Sequence, residues 1–269
     1  MSDFLQTMAG SSAARAAALH PAIGDADFDR PVHSLMLDRF DVIAEIKNRS
    51  PAEGELAAHG ASRAERARAY AAAGAAAISV LTEPDRFDGD ISHLEEVVAA
   101  AGAVPVMRKD FLVDVAQVQE ARVAGASGVL LIAAMLDNRA LRDMLDCAFE
   151  HGMFVLLEAF GDEDVARINT LFEDAEMQER AASRQLLVGV NSRNLRTLAV
   201  DPARLEDFAP RLPRQAIRVA ESGLNSDRDA ARVAGQGYDM AHVGTALMRA
   251  GDPGRLLRAM IDAGRSARS

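Results

Sequence analysis

The chain has 269 residues, 49% of them hydrophobic, which suits either two small domains or a single α/β barrel with a large core. Its 30 lysine and arginine residues are outnumbered by 40 aspartate and glutamate residues, and the formal net charge of −10 argues against a nucleic-acid-binding protein. A small anionic substrate needs only about two or three clustered cations, so the charge leaves that class open.

The cysteine content and the N-terminal residues indicate a cytoplasmic protein. Cys147 is the only cysteine, so no intramolecular disulfide can form, and its amphipathic surroundings predict a buried thiol on a helix. The N-terminus lacks a basic stretch followed by a long apolar one, and no run approaches the roughly 20 apolar residues that cross a bilayer. We expect a monomer or weak homodimer that binds neither membrane nor nucleic acid.

Residues 1–40 precede the first predicted strand, and we expect them to form a helical extension packed on a barrel. From residue 41 to residue 269, short apolar runs alternate with longer segments of helical period. The eight predicted strands are Val42–Ile46, Ala76–Leu81, Val104–Met107, Gly128–Ile132, Phe154–Glu158, Leu186–Val190, Ile217–Ala220 and Met240–Val243. The charged segment Asn169–Ser183 lengthens the fifth crossover.

This alternation predicts a parallel sheet covered by helices, and eight such units in a chain of this length predict a closed (β/α)8 TIM barrel. An open, doubly wound sheet is the alternative. A dinucleotide fingerprint after the first strand would favour it, but residues 46–54 contain no Gly-x-Gly-x-x-Gly. We therefore predict a single (β/α)8 barrel of the α/β class with an N-terminal helical extension.

Charged side chains collect at the C-terminal ends of the predicted strands, where barrel enzymes have their active sites. Glu45 and Lys47 are two residues apart, so both point to one face of the first strand. Lys109 follows the third strand, and Glu158 ends the fifth. Because unpaired buried charge is costly, four such groups converging on one mouth indicate a functional site.

Small residues at the ends of the last two strands indicate a phosphate site. Ser222 and Gly223 follow the seventh strand, and Gly244 and Thr245 follow the eighth. Barrels commonly bind phosphate at this place through backbone N–H groups. The two pairs on adjacent strands therefore predict a phosphorylated small-molecule substrate.

Eight motifs stand in order along the chain: Ile43–Lys47 with Ser50-Pro51, Ile78–Glu83, Pro105–Phe111, Val129–Ile132, Leu157-Glu158, Gly189–Leu195, Ala220–Gly223 and Gly244–Arg249. Their order and spacing resemble indole-3-glycerol-phosphate synthase, from about residue 31 to the C-terminus. The resemblance implies a carbon–carbon lyase of tryptophan biosynthesis that closes the indole ring of 1-(2-carboxyphenylamino)-1-deoxyribulose 5-phosphate, with loss of CO2 and water. It also implies no metal and no organic cofactor.

The resemblance further implies catalytic roles for individual residues. Lys109 is expected to be the general acid that protonates the ketone oxygen during ring closure. Glu158 is expected to be the acid–base partner in the later proton loss and dehydration. Lys47, held by Glu45, is expected to stabilise charge and to help transfer protons, and Asn191 is expected to orient the substrate.

Substrate-binding residues are implied in the same way. Arg193 is expected to meet an anionic group, either the anthranilate carboxylate or the phosphate, and Ser50 is expected to contact the substrate from the first loop. Phe87 and Leu131 are expected to pack on the aromatic ring. The residues expected to bind phosphate are Ser222, Gly223, Gly244 and Thr245.

The chain departs from the family most clearly in the first loop. That loop reads Ser50-Pro-Ala-Glu-Gly54, whereas Ser-Pro-Ser-Lys-Gly is frequent in the family, so a hydroxyl is lost at Ala52 and a charge is reversed at Glu53. Thr245 stands where serine is frequent, and the N-terminal segment lacks the family's lysine-rich helix. None of these differences removes an expected catalytic group.

Two other functions are compatible with a phosphate-binding barrel. A phosphoribosylanthranilate isomerase-like enzyme would use a cysteine at a strand end as its base, but Cys147 lies in a predicted helix. A catalytically silent paralogue would bind a phosphorylated ligand without turning it over. Such a binding protein would not need two lysines and two carboxylates around one pocket, which argues against it.

Overall fold

The computed structural model describes residues 3–23, 28–50, 54–55, 61–193 and 199–268. Within these ranges, eight parallel strands close into a barrel in which successive strands are neighbours and the last pairs with the first. They are β1 (Asp41–Ile46), β2 (Ala77–Leu81), β3 (Val106–Lys109), β4 (Gly128–Ile132), β5 (Phe154–Ala159), β6 (Leu186–Asn191), β7 (Ile217–Glu221) and β8 (Met240–Val243). The predicted TIM barrel is confirmed.

Helices cover the outside of the barrel. They are α1 (Asp3–Ile23), α2 (Arg63–Ala72), α3 (Pro84–Phe87), α4 (Ile91–Ala100), α5 (Val115–Val123), α6 (Asn138–Glu150), α7 (Asp162–Leu171), α8 (Ala175–Ala182), α9 (Ala203–Phe208), α10 (Asp227–Gly235), α11 (Thr245–Arg249) and α12 (Pro253–Ala267). A short antiparallel ribbon follows β1 and joins Arg49–Ser50 to Gly54–Glu55. Among the residues described, no helix combines the length and the apolar character needed to cross a membrane.

Capping side chains set where the helices begin. Asp114 and Gln117 form a capping box at the start of α5, in which each side chain accepts a hydrogen bond from the other residue's backbone N–H. Asp174 caps α8 inside the segment predicted to lengthen the fifth crossover. That segment is therefore an additional helix, and it is anchored to the core by buried Met177 and Ala181.

Alternation along each strand sorts the side chains into two layers. In β1, Val42, Ala44 and Ile46 belong to the core between the barrel and its helices, whereas Ile43 belongs to the inner apolar layer. Glu45 lies on the same side as Ile43 and reaches the central cavity. The inner layer is therefore apolar at the bottom of the barrel and charged at its mouth.

Strand β3 lies two residues further along the chain than predicted. The prediction ended the strand at Met107, whereas Arg108 and Lys109 both pair in register with β2. Arg108 can stay inside the strand because its guanidinium is neutralised by Glu120 at 2.6 Å and by Asp110 at 3.1 Å. Lys109 is consequently the last residue of a strand, and its backbone is fixed by the sheet.

Helix α1 packs against the loop that follows β3. The Arg15 guanidinium donates two hydrogen bonds of 2.8 Å to the Asp110 carboxylate. The side-chain amide of Gln117 donates to the Ser12 hydroxyl at 2.8 Å. The extension is thus attached next to the strand that carries Lys109.

Candidate active site

A cavity of about 390 Å³ opens at the C-terminal ends of the strands. Every barrel strand, or the loop that follows it, contributes to its wall. Charged side chains of the wall include Glu45, Lys47, Lys109, Glu158, Arg193 and Glu221. The strand-end groups singled out from the sequence therefore share one cavity.

The cavity contains both lysines of the chain. Lys47 and Lys109 are the only two, since all the other basic residues are arginines. Arginine keeps its proton in proteins, whereas a lysine ammonium can release one. The chain thus uses arginine for its structural cations and places its only lysine ammonium groups where a substrate can meet them. This bias is readable from the sequence and is an independent signal of the site.

Glu45 and Lys47 form an ion pair on the inner face of β1. Burial raises the pKa of Glu45, but the charges of Lys47, His242 and Lys109 outweigh it and lower that pKa to about 2. Glu45 is therefore an ionised anchor for Lys47. A Cβ built on Gly244 would lie 2.9 Å from Lys47 Nζ, so the absence of a side chain there leaves room for the pair.

Lys109 lies at the end of β3 among the carboxylates of the cavity. Burial lowers the pKa of its ammonium group. The charges of Glu158, Glu221 and Glu45 raise that pKa more strongly, and Arg193 lowers it slightly, so the net effect is a pKa above the ordinary value. Lys109 is therefore protonated before a reaction begins, as a proton donor must be.

Glu158 is the penultimate residue of β5, lines the same cavity as Lys109 and is 1% exposed. Burial and then the charge of Glu221 raise its pKa, and Lys109 and Asn191 lower it, which leaves a value of about 8. The side-chain amide nitrogen of Asn191 donates a hydrogen bond of 2.5 Å to Glu158 Oε1. The side-chain oxygen of Asn191, Oδ1, accepts one of 2.9 Å from the backbone N–H of Arg193. Glu158 is thus an oriented carboxyl group that can give and take a proton near neutral pH.

Two buried residues of the site were not predicted. Glu221 ends β7, and its Oε2 lies 2.9 Å from Nδ1 of His242 on β8. Nε2 of His242 lies 2.8 Å from the Ser79 hydroxyl. Glu221, like Glu158, lies at the C-terminal end of its strand, so its position in the sequence could have identified it as a site residue. His242 lies within its strand, and only the barrel register, which pairs it with Glu221, reveals its place in the site.

Three phenylalanines form an apolar part of the wall. Phe111 follows β3, and its ring centroid lies 5.8 Å from that of Phe4 on α1 and 6.1 Å from that of Phe87 on α3. Aromatic rings at such distances pack edge to face or offset. Phe87 lines the cavity, as expected for a residue that contacts the substrate ring. No pattern in the sequence connects Phe4, in the first turn of α1, with the barrel mouth.

The placement of Leu131 at the cavity is wrong. Leu131 is fully buried in the core between the barrel and its helices. Because side chains alternate along β4, its neighbours Leu130 and Ile132 point inward and line the cavity. The prediction therefore identified the correct strand and the wrong face.

The small residues expected to bind phosphate all lie in the cavity wall: Ser222, Gly223, Gly244 and Thr245. Ser222 has a φ of 68°, in the left-handed region that residues other than glycine rarely adopt. Its carbonyl oxygen accepts a hydrogen bond of 3.0 Å from the Ser192 hydroxyl. This conformation is held by the neighbouring strand end, as is common at functional sites.

Arg193 also lines the cavity, directly after β6. The side chain of Ser50 and the altered residues Ala52 and Glu53 lie outside the described part of the chain. In that part, no group of three histidine, cysteine or carboxylate side chains is arranged to hold a metal ion.

A barrel whose strand ends present two lysines and three carboxylates to one cavity defines a TIM-barrel enzyme with an acid–base site. Solved barrels share the fold. The 3-hexulose-6-phosphate synthase of Salmonella typhimurium superposes with a TM-score of 0.62 at 15% identity, covering 83% of this chain and 97% of that one. Orotidine 5'-phosphate decarboxylase from Pyrococcus horikoshii OT3 gives 0.55 at 15% identity, covering 83% and 99%. At such identities the similarity concerns the fold alone.

Sequence comparison defines the enzyme more closely. The profile of the indole-3-glycerol phosphate synthase family matches residues 24–260. The indole-3-glycerol phosphate synthase of Nocardioides sp. is 43% identical over 250 residues, which cover 93% of this chain and 91% of that protein. The enzyme of the same name from Methanopyrus kandleri is 44% identical over 228 residues, covering 84% of each. The chain belongs to the indole-3-glycerol phosphate synthase family, and the expected carboxy-lyase activity in tryptophan biosynthesis is confirmed.

Proposed function

We propose that the cavity binds 1-(2-carboxyphenylamino)-1-deoxyribulose 5-phosphate and closes its indole ring by acid–base catalysis, with Lys109 and Glu158 as the proton-transfer pair. One observation carries this proposal. The same cavity holds an ammonium group kept protonated by carboxylates and a carboxyl group whose pKa of about 8 lies near neutrality. Glu158 titrates near neutral pH and can therefore transfer protons in both directions, whereas Lys109 enters the reaction as a protonated donor.

Lys109 acts in the first step. The aromatic carbon that bears the carboxylate forms a bond to the ketone carbon, and the ketone oxygen becomes a hydroxyl by taking the proton of Lys109. An ammonium donor in a largely buried site stabilises the negative charge that develops on this oxygen better than water does. Lys47, paired with Glu45, adds a second positive charge to the cavity. It also supplies a route by which Lys109 can be reprotonated.

Glu158 acts after ring closure. Loss of CO2 restores the aromatic system, and dehydration then removes the new hydroxyl together with a proton from the neighbouring carbon. The protonated carboxyl of Glu158 gives its proton to the departing hydroxyl, which leaves as water. The resulting carboxylate takes the proton from carbon, so Glu158 returns to its starting state. Asn191 holds the carboxyl in place through its 2.5 Å hydrogen bond.

The remaining wall residues bind the rest of the substrate. Phe87 packs on the anthranilate ring, and the inward positions of Leu130 and Ile132 supply the apolar contacts first expected from Leu131. Arg193 meets an anionic group, and Ser50 contacts the substrate from the first loop. The phosphate is bound by Ser222, Gly223, Gly244 and Thr245.

A cysteine-based isomerase reaction receives no support. Cys147 lies on α6, in the core between barrel and helices, and is 7% exposed. Burial raises the pKa of its thiol to about 11. A thiol in that position is neither at the cavity nor ionised at neutral pH, so it cannot act as the base.

We further propose a cytoplasmic enzyme that works as a monomer or weak homodimer. Its single, buried cysteine needs no oxidising compartment. Among the described residues, Met36 is the one large hydrophobic side chain that is exposed. Stable homodimers usually bury a broad apolar surface, so this distribution favours weak association or none.

A fluorescence assay tests the reaction. The chain contains no tryptophan, so indole emission from a reaction with the purified protein comes from the product alone. We expect wild type to turn the substrate over and Lys109→Ala and Glu158→Gln to lose on the order of 10²- to 10⁴-fold in kcat. Arg139→Ala is the control, because Arg139 is 91% exposed. A folded wild type without turnover contradicts the activity, and unchanged turnover in Lys109→Ala contradicts the role of that lysine.

A further inference from the structure

His242 lies inside the barrel and takes no part in the proton transfers proposed above. It stands on β8, between Glu221 of β7 and Glu45 of β1, and is 6% exposed. Its Nδ1 is 2.9 Å from Glu221 Oε2, and its Nε2 is 2.8 Å from the Ser79 hydroxyl and 3.6 Å from Glu45 Oε2. One imidazole therefore connects two carboxylates of the cavity across four neighbouring strands.

The partners of His242 fix the direction of its hydrogen bonds. A carboxylate only accepts, so Nδ1 donates to Glu221. A neutral ring then accepts at Nε2 from the Ser79 hydroxyl, whereas an imidazolium donates to it. Nδ1 is a donor to Glu221 in both forms, so this hydrogen bond persists whichever charge the ring carries.

Only one of the two carboxylate oxygens of Glu221 accepts a hydrogen bond. Oε2 accepts from His242, while Oε1 is buried and has no hydrogen-bond partner among the described residues. Leaving a buried carboxylate oxygen unpaired is costly, and such an atom in a cavity wall is free to interact with a bound molecule. A contact must therefore hold the Glu221 carboxylate in this orientation.

The charge of Glu221 acts on both proton-transfer groups. Burial and then Glu221 raise the pKa of Glu158. Burial lowers the pKa of Lys109, while Glu158 and Glu221 are the strongest influences that raise it. The position and charge of Glu221 therefore help to set the protonation of both groups.

We propose that His242 is a positioning residue, which holds Glu221 by Oε2 so that its negative charge and its unoccupied Oε1 stay beside Lys109 and Glu158. The inference deepens the proposed acid–base function and rests on it. Without the donor at Nδ1, the Glu221 carboxylate can rotate away, and its negative charge then moves away from Lys109 and Glu158. The Glu158 carboxyl then holds its proton less firmly, so the site still binds substrate but contains less of the protonated carboxyl that dehydration needs.

Among the residues that the structure describes, few charged groups face this arrangement. Those that act on Lys109, Glu158 or Glu45 are Lys47, Arg193, Glu221, His242 and these three residues themselves. When the Glu221 charge is displaced, Lys109 keeps two carboxylate neighbours, Glu158 and Glu45, and Arg193 opposes them. Lys109 should then release its proton at lower pH, and Glu158, freed from a repelling charge, should also titrate at lower pH.

The experiment uses the fact that the chain contains only two lysines. In protein labelled with 13C at the lysine ε-carbon, Lys47 and Lys109 give the only two side-chain signals, and Lys109→Ala assigns them. His242→Asn keeps a donor at the Nδ1 position, whereas His242→Gln places its amide at the Nε2 position and His242→Leu has none. We expect the Lys109 titration midpoint to fall in the Leu and Gln variants and to stay near wild type in the Asn variant. His93→Leu, on α4 outside the cavity, is the control.

Kinetics supply the second readout. We expect kcat to fall on the order of 10-fold or more in the Leu and Gln variants and to be largely restored in the Asn variant, with KM changed much less. The double variant His242→Leu/Glu221→Gln should be no slower than Glu221→Gln alone, because the histidine acts through the carboxylate. Additive losses, or an unshifted Lys109 midpoint in both the Leu and the Gln variants, would overturn the proposal. The lysine titration needs no turnover, so it tests His242 even if the proposed reaction fails.

Discussion

Removing the Arg15 guanidinium tests how α1 is anchored to the active-site strand. Arg15 donates two hydrogen bonds of 2.8 Å to Asp110, which also accepts from the Thr82 hydroxyl at 2.9 Å. The Asp110 side chain is fully buried. Burial raises its pKa, but Arg15 and Arg108 outweigh this effect and hold the pKa at about 2.

The size of the effect follows from proton linkage. A carboxyl group whose pKa falls from 3.8 to about 2 on folding stabilises the folded state by about 2 kcal/mol at neutral pH. Because the folded-state pKa is the lower one, this stabilisation is present above a pH of about 4 and is lost as the pH falls toward about 2. Among the groups that lower the pKa of Asp110, Arg15 has the largest effect. Arg15→Ala should therefore lower the free energy of unfolding by about 1–2 kcal/mol at neutral pH and flatten its decline in acid.

Urea unfolding at neutral pH and near pH 3 measures both effects. Arg139→Ala is the matched control, because Arg139 is 91% exposed and pairs with Asp143 at 3.7 Å, a contact worth less than about 0.5 kcal/mol. Helix α1 also carries Phe4 into the cavity wall, so the KM of Arg15→Ala for the substrate should rise. If Arg15→Ala unfolds like the control at both pH values, Arg15 does not hold the Asp110 carboxylate in its ionised form.

Two further predictions separate packing from catalysis. Leu130→Ala and Leu131→Ala should each lower the free energy of unfolding by about 2–5 kcal/mol, measured by urea unfolding. Only Leu130→Ala should raise KM, because Leu130 lines the cavity and Leu131 does not. Equal KM values in the two variants would contradict the faces assigned to these residues. Gly244→Ala should displace the ends of Glu45 and Lys47, which lie 2.9 Å or less from the new Cβ, and lower kcat on the order of 10-fold at nearly unchanged stability. Unchanged kcat in Gly244→Ala would show that the pair does not assist the reaction.

The barrel was predictable because its signals are local. Each strand is a short apolar run next to a helix-period segment, and this pattern alone gives eight units. The end of β3 was not predictable in the same way. Arg108 looks like a strand terminator in the sequence, and only its contacts with Glu120 and Asp110 in the folded protein make it compatible with a buried strand.

The cavity was predictable to the extent that its residues end strands. Lys109 and Glu158 lie at strand ends and were predicted as site residues. Glu221 also lies at a strand end, but no role was predicted for it. The other omissions depend on tertiary structure. His242 is identified by pairing between strands, and Phe4 by the docking of α1.

Leu131 shows a different limit of the sequence pattern. In a strand buried on both sides, apolar residues occupy both faces, so hydrophobicity cannot tell Leu131 from Leu130. Only the register of β4 within the barrel assigns one residue to the cavity and the other to the helices.

The kcat of Lys109→Arg tests most directly whether Lys109 donates a proton. Arginine keeps the positive charge but does not release its proton, so it can replace lysine as a charge and not as an acid. We predict that Lys109→Arg loses on the order of 10²-fold or more in kcat while the protein stays folded and still binds substrate. A kcat within about threefold of wild type would contradict the account, because Lys109 would then serve the reaction by its charge alone.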